Sequence, residues 1–246
     1  MNDLYLASNL TVSFGLGIPL SLIIALLVAK RIPFRDVLRG IGYSLLARLI
    51  FNLINNALYE YNFLNPALLT VISIALSILV TLLSLHLFRR SLQKDPQHNG
   101  LAVGLGYGFI ENLTVIIFPV IYNRIIMQYA ASGRIYEYFP EMARDEVDAL
   151  VAQVTSVKPE AYIYTCIYAI GLIVFYILLF SLFRQDVSRQ ADNRIIVIGG
   201  TILFHALYQT LAGRGHLINA ILLVMLLAAL IFCSIQKKTL QGGLSK

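Results

Sequence analysis

A chain of 246 residues with 58% hydrophobic side chains, 13% charged ones and a mean hydropathy of +0.75 lies outside the range of water-soluble domains. Its net charge of +6 is carried at the ends of apolar runs and not on one patch. That distribution argues against nucleic acid as a partner and makes the basic residues topology signals.

Runs of about 20 apolar residues, enough to cross roughly 30 Å of hydrocarbon, predict seven helical spans. They fall near residues 8–29, 40–59, 65–88, 100–122, 160–183, 195–212 and 217–236. The first run lacks a basic leader and a clear small-residue cleavage site, so it reads as an uncleaved span. The fold class is therefore all-α, a polytopic transmembrane bundle forming a single integral membrane domain over residues 1–246. Cys166 and Cys233 both lie inside apolar runs, which leaves neither a disulfide framework nor a Cys-x-x-Cys metal knuckle.

Orientation follows from the basic residues in the breaks. Lys30, Arg31, Arg35, Arg39, Arg89, Arg90, Lys94, Arg184, Arg189, Arg194, Lys237, Lys238 and Lys246 lie on one side; Arg124, Arg134, Arg144, Lys158 and Arg214 lie on the other. Thirteen against five predicts that the first side is cytoplasmic, with the amino terminus outside and the carboxyl terminus inside. The outside loop, residues 123–159, holds Val147, Leu150, Val151 and Val154 at helical spacing, which predicts a short amphipathic cap helix.

Ionisable groups inside spans cost about 2.5–3.5 kcal/mol at mid-bilayer, so each requires a partner or a purpose. Counted from the cytoplasmic ends of their spans, Arg48, Glu111 and His205 lie nine, eleven and eleven residues past Arg39, Gly100 and Arg194. At 1.5 Å per residue those depths are about 14–17 Å, one common level near the midplane. In the fourth span Gly100, Gly104 and Gly108 recur every four residues and form a groove for another helix; Glu111 and Asn112 follow directly. Tyr107 sits one turn before Glu111, and Gln209 one turn after His205, so each pair can share a hydrogen bond or a ligand. Three readings stay open for the cluster: Glu111 paired with Arg48 while His205 bonds Tyr107 or a carbonyl, a catalytic metal centre of Glu111 and His205, or a small-molecule or ion pathway. Asn52, Asn55 and Asn56, with Glu60 beyond them, form a second polar stripe suited to helix–helix hydrogen bonding.

The run Gly104-Leu-Gly-Tyr-Gly-Phe-Ile-Glu-Asn112, followed by His205-Ala-Leu-Tyr-Gln209, resembles the YhfC-type predicted intramembrane metalloproteases, relatives of PrsW and the CAAX-prenyl proteases. The resemblance covers most of the chain. It implies a seven-span fold and a zinc-dependent peptidase acting on a membrane protein or peptide substrate. Several family positions are changed here. The third span, Pro66 to Phe88, has no acidic residue; the motif His of the fourth is Tyr107; Tyr168 to Tyr176 offers no ligand; and the sixth-span Asp is Gln209. Glu111 and His205 alone remain, fewer than the three protein ligands of a catalytic zinc. The expectation is a multi-pass protein of the cell membrane, a prokaryotic plasma membrane, with the lipid bilayer as solvent. It would bind a membrane partner without a cofactor; zinc enters only if Glu111 and His205 keep a divergent protease alive.

Overall fold

The computed structural model describes residues 2–60, 65–189 and 194–211, and every regular element among them is helical. The elements are α1 (Asn2–Val28), α2 (Phe34–Glu60), α3 (Pro66–Lys94), α4 (Gly100–Asn112), a π-helical turn (Leu113–Ile117), α5 (Phe118–Ala131), α6 (Ile135–Tyr138), α7 (Arg144–Thr155), α8 (Pro159–Arg189) and α9 (Arg194–Leu211). Five helical stretches are long and apolar enough to cross a membrane: α1, α2, α3, the run from α4 through α5, and α8. In α9 the apolar stretch Val197–Ala206 is shorter. The seventh predicted span, residues 217–236, lies outside the described residues, as does Cys233.

The helices start and stop where local chemistry dictates. Asn65 caps α3, its Oδ1 accepting from Ala67 N at 3.0 Å with Pro66 beside it, and Asn99 caps α4 by accepting from Leu101 N at 3.0 Å. At the end of α1, Lys30 turns into the left-handed region at φ 52° while Arg31 N donates to Leu26 O at 2.9 Å, closing the helix with a Schellman-type bond. Charged residues such as Arg89 and Arg90 lie inside α3, so the helices overrun the predicted spans at several ends.

One boundary needs correction. The fourth span was expected to end at residue 122, but its helix continues to Ala131 and shortens the outer loop. Pro119 explains the irregularity on the way. It has no N–H for the carbonyl four residues back, and its ring crowds that carbonyl; the π turn over Leu113–Ile117 absorbs the mismatch without ending the helix.

The expected cap helix is α7. The Glu146 carboxylate accepts from Ala143 N at 3.3 Å at its start, and Val147 and Val154 are buried in an apolar cluster with Leu4, Ala7, Ile126, Met127 and Tyr162. Tyr136 of α6 donates to Asp148 Oδ1 at 2.6 Å, and that carboxylate raises the phenol above its ordinary pKa. The loop between α5 and α8 thus folds down onto the ends of α1, α5 and α8.

Burial ranks the helices. In their most apolar windows α1 and α2 are 22% buried, against 61% for the α4–α5 run and 56% for α8, so α4 and α8 form the centre. The outer faces carry exposed Leu6, Phe14, Ile24, Leu45, Leu53 and Val71, a surface suited to lipid and not to water. Glycine sets how closely the centre packs. A Cβ on Gly100 would come within 2.5 Å of the Phe180 carbonyl oxygen and one on Gly108 within 2.9 Å of Ile173 Cα, while Gly104 faces the Tyr176 carbonyl more tightly still. All three meet α8. On the opposite side Gly40 and Gly106 let α2 and α4 touch backbone to backbone.

Candidate functional site

Between α2, α3, α4, α8 and α9 lies a cavity of about 380 Å³. Arg48 and Phe51 contribute from α2, Tyr107 and Glu111 from α4, Tyr176 and Leu172 from α8, and His205 from α9. The α3 wall is a row of hydroxyls, Thr70, Ser73, Ser77 and Thr81, spaced three or four residues apart and hence on one helix face. Thr70, near the start of α3, is the exposed member of that row; Thr81 is buried.

Arg48 and Glu111 form a fork-to-fork ion pair: Arg48 Nε donates to Glu111 Oε1 at 3.1 Å and Nη2 donates to Oε2. Ser44, one turn before Arg48 on α2, donates to the same Oε1 at 3.1 Å. The Glu111 side chain is only 6% exposed, whereas Arg48 keeps 25%, and its guanidinium lies over the Phe51 ring at 5.6 Å. Among the described residues the other three N–H groups of Arg48 have no protein acceptor.

His205 is tied to a different helix. Its Nε2 lies 3.0 Å from Thr81 Oγ1. The hydroxyl proton of Thr81 goes to the Ser77 carbonyl at 2.9 Å, so the geometry assigns the bridging proton to His205 Nε2, which donates. No carboxylate lies within ion-pair distance of His205 among the described residues.

Tyr107 does not share a hydrogen bond with Glu111. Its hydroxyl lies 3.5 Å from Ser84 Oγ, long for a hydrogen bond, and its ring packs against Tyr176 at 4.5 Å and Phe180 at 5.3 Å. With Phe88, whose ring centroid is 5.4 Å from that of Phe180, these rings close the bundle on the side toward Lys94 and Gly100. Asn112 faces away from the cavity, donating to the Gly15 carbonyl of α1 at 2.6 Å; its Oδ1 has no partner among the described residues. The side chain of Gln209 lies outside what is described. Asn55 accepts from Ser73 at 3.1 Å, a helix–helix hydrogen bond between α2 and α3.

Two polar features escaped the sequence reading. The α3 hydroxyl row is one. The other is a buried cluster at the opposite end of α2, where Asp36 accepts from Arg39 at 2.8 Å and from Asn99 N at 2.7 Å, and His98 Nδ1 lies 3.0 Å from Asp36. Arg35 pairs with Asp95 at 2.8 Å beside it, and the Gln97 N–H, with His98 and Arg35, holds the Asp95 carboxyl below the ordinary carboxylate value. The only sequence signal was an acid, Asp36, inside a basic stretch. The cluster fastens the α3–α4 turn to the start of α2, and so helps fix the register that brings Arg48 opposite Glu111.

Among the described residues the donors do not assemble a zinc site. Both Glu111 oxygens face a guanidinium, His205 Nε2 is a donor, and among the described residues no three His, Cys, Asp or Glu side chains converge. No family model, curated protein or solved structure matches the chain.

Proposed function

We propose that this chain is a multi-pass membrane protein that binds a guest in the cavity beside Arg48 and Glu111 and does not cleave peptides. The carrying observation is that the two residues left from a peptidase pattern are each engaged elsewhere, Glu111 by Arg48 and Ser44, His205 by Thr81. Both Glu111 oxygens accept from Arg48, and Oε1 accepts from Ser44 as well, so the carboxylate is tied to α2 and not aimed at a reacting group. On this reading the chain is YhfC-like in architecture and a pseudoenzyme in chemistry. The aromatic packing around Phe88 and Phe180 supports a cavity closed toward the α3–α4 turn, and so binding over a continuous ion path.

Metal analysis of the purified protein tests this directly. The expected result is no stoichiometric zinc. One zinc per chain, lost in His205→Ala, would revive the metalloprotease alternative and sink the pseudoenzyme reading.

The membrane placement has the amino terminus outside, and residues 31–39, 89–99 and 184–194 at the cytoplasmic surface of a cell membrane. In a background with Cys166 and Cys233 replaced by Ala, an impermeant thiol reagent added to whole cells should label Asp145→Cys and spare Lys94→Cys. Labelling in the reverse order overturns the orientation.

A further inference from the structure

We propose that the cavity takes a small zwitterion whose amino and carboxylate groups are one carbon apart, the carboxylate on Arg48 and the ammonium on Glu111. The inference rests on reading the cavity as a binding site and adds the charge class of the guest.

Charge balance argues first. Among the described residues, the cavity wall carries one guanidinium, Arg48, and one carboxylate, Glu111, while His205 is bonded to the Thr81 hydroxyl and to no carboxylate. The described wall therefore pairs one charge of each sign. A guest with net charge would bring an uncompensated ion between apolar helices, whereas a guest of zero net charge leaves the balance unchanged.

Spare hydrogen-bonding capacity argues second. Arg48 uses two of its five N–H groups on Glu111, and the remaining donors belong to the side chain that keeps 25% exposure at the cavity wall. Such a donor set suits a carboxylate far better than a hydroxyl. Glu111 Oε1 accepts from both Ser44 and Arg48, while among the described residues Oε2 accepts one hydrogen bond, leaving a lone pair for a cationic donor. Because the two side chains are already in contact, the guest's opposite charges must be close together too. An α-amino acid meets that condition; a peptide, with its termini a residue or more apart, does not.

Size and walls complete the case. About 380 Å³ is at the low end for small-molecule sites and has room for a single amino acid. Phe51, Val80 and Leu172 offer an apolar side chain a place beside the charged pair.

The test uses four versions of one molecule against the full-length protein in nanodiscs at pH 6.5, where free α-amino groups are protonated. L-leucine is the zwitterion, L-leucinamide the cation, N-acetyl-L-leucine the anion and N-acetyl-L-leucinamide the neutral form. Calorimetric titration should show L-leucine binding at least tenfold more tightly than the other three. Arg48→Gln should move the preference to L-leucinamide, and Glu111→Gln to N-acetyl-L-leucine, each variant checked for folding by size-exclusion and circular dichroism. Equal binding of the neutral form overturns the charge class and leaves the cavity a binding site. Absence of L-leucine binding to folded wild-type protein overturns the inference outright, while the pseudoenzyme reading stands or falls separately with the zinc measurement.

Discussion

Glu111→Ala is expected to cost about 3–5 kcal/mol of stability, the range for removing one partner of a buried ion pair. The reason is what remains. Arg48 would be left among apolar helices with its Nε and Nη2 donors unmatched, and Ser44 would lose its acceptor. Because Arg48 lines the cavity and is 25% exposed, some of that cost is relieved by water, which places the expectation near the lower end of the range. Glu111→Gln keeps one carbonyl oxygen for Arg48 and should cost less than half as much. Arg48→Gln together with Glu111→Gln removes both charges, so the double variant should be more stable than the sum of the single losses predicts. Unfolding in mixed detergent micelles, followed by circular dichroism, reads the wild type, the three single variants and the double variant. A Glu111→Ala variant as stable as wild type would show that the pair carries no folding energy.

The level of that pair was legible in the sequence because helix rise is constant. Counting residues from the basic breaks put Arg48 and Glu111 at one depth, and charges at one depth in a low-dielectric medium find each other. The glycine row at 100, 104 and 108 was legible for a similar reason, since only glycine removes the side chain that would hold two backbones apart. The hydroxyl row on α3 carried no such signal. Serine and threonine within apolar helices satisfy themselves on the carbonyl four residues back, as Ser77, Thr81 and Ser84 do here at 2.9 Å, so their presence costs little and predicts little. Which of them would also meet His205 depended on the packing of α9 against α3, a long-range fact with no local trace. The helix ends were misjudged because a hydropathy window stops at the first charge, whereas a helix stops where its caps stop it. Asp36 stands in a run of basic residues with nothing local to mark it, and its burial beside His98 came only with the fold.

Gly104→Leu is expected to abolish the folded bundle, a loss of at least about 3 kcal/mol, and Gly104→Ala to cost about 1–3 kcal/mol. The obstacle is backbone, not a movable side chain. A Cβ at residue 104 would press on the Tyr176 carbonyl oxygen and lie 2.7 Å from Ile177 Cα, so α8 as a whole must retreat from α4. That movement reaches the cavity, because α8 brings Tyr176 and Leu172 to its wall while α4 brings Tyr107 and Glu111. Separating the two helices pulls apart the Tyr107–Tyr176 contact, whose rings lie 4.5 Å from each other. Gly42 supplies the control. It also lies within a helix, but a Cβ there meets nothing within 4 Å, so Gly42→Ala should keep only the gain in helix propensity and stabilise by up to about 1 kcal/mol. One chemical change, a single methyl group on a helical glycine, thus has opposite signs at two positions, and the thermal midpoints of the two alanine variants should move in opposite directions. If both moved together, close approach of α4 and α8 would not be what the glycine row provides.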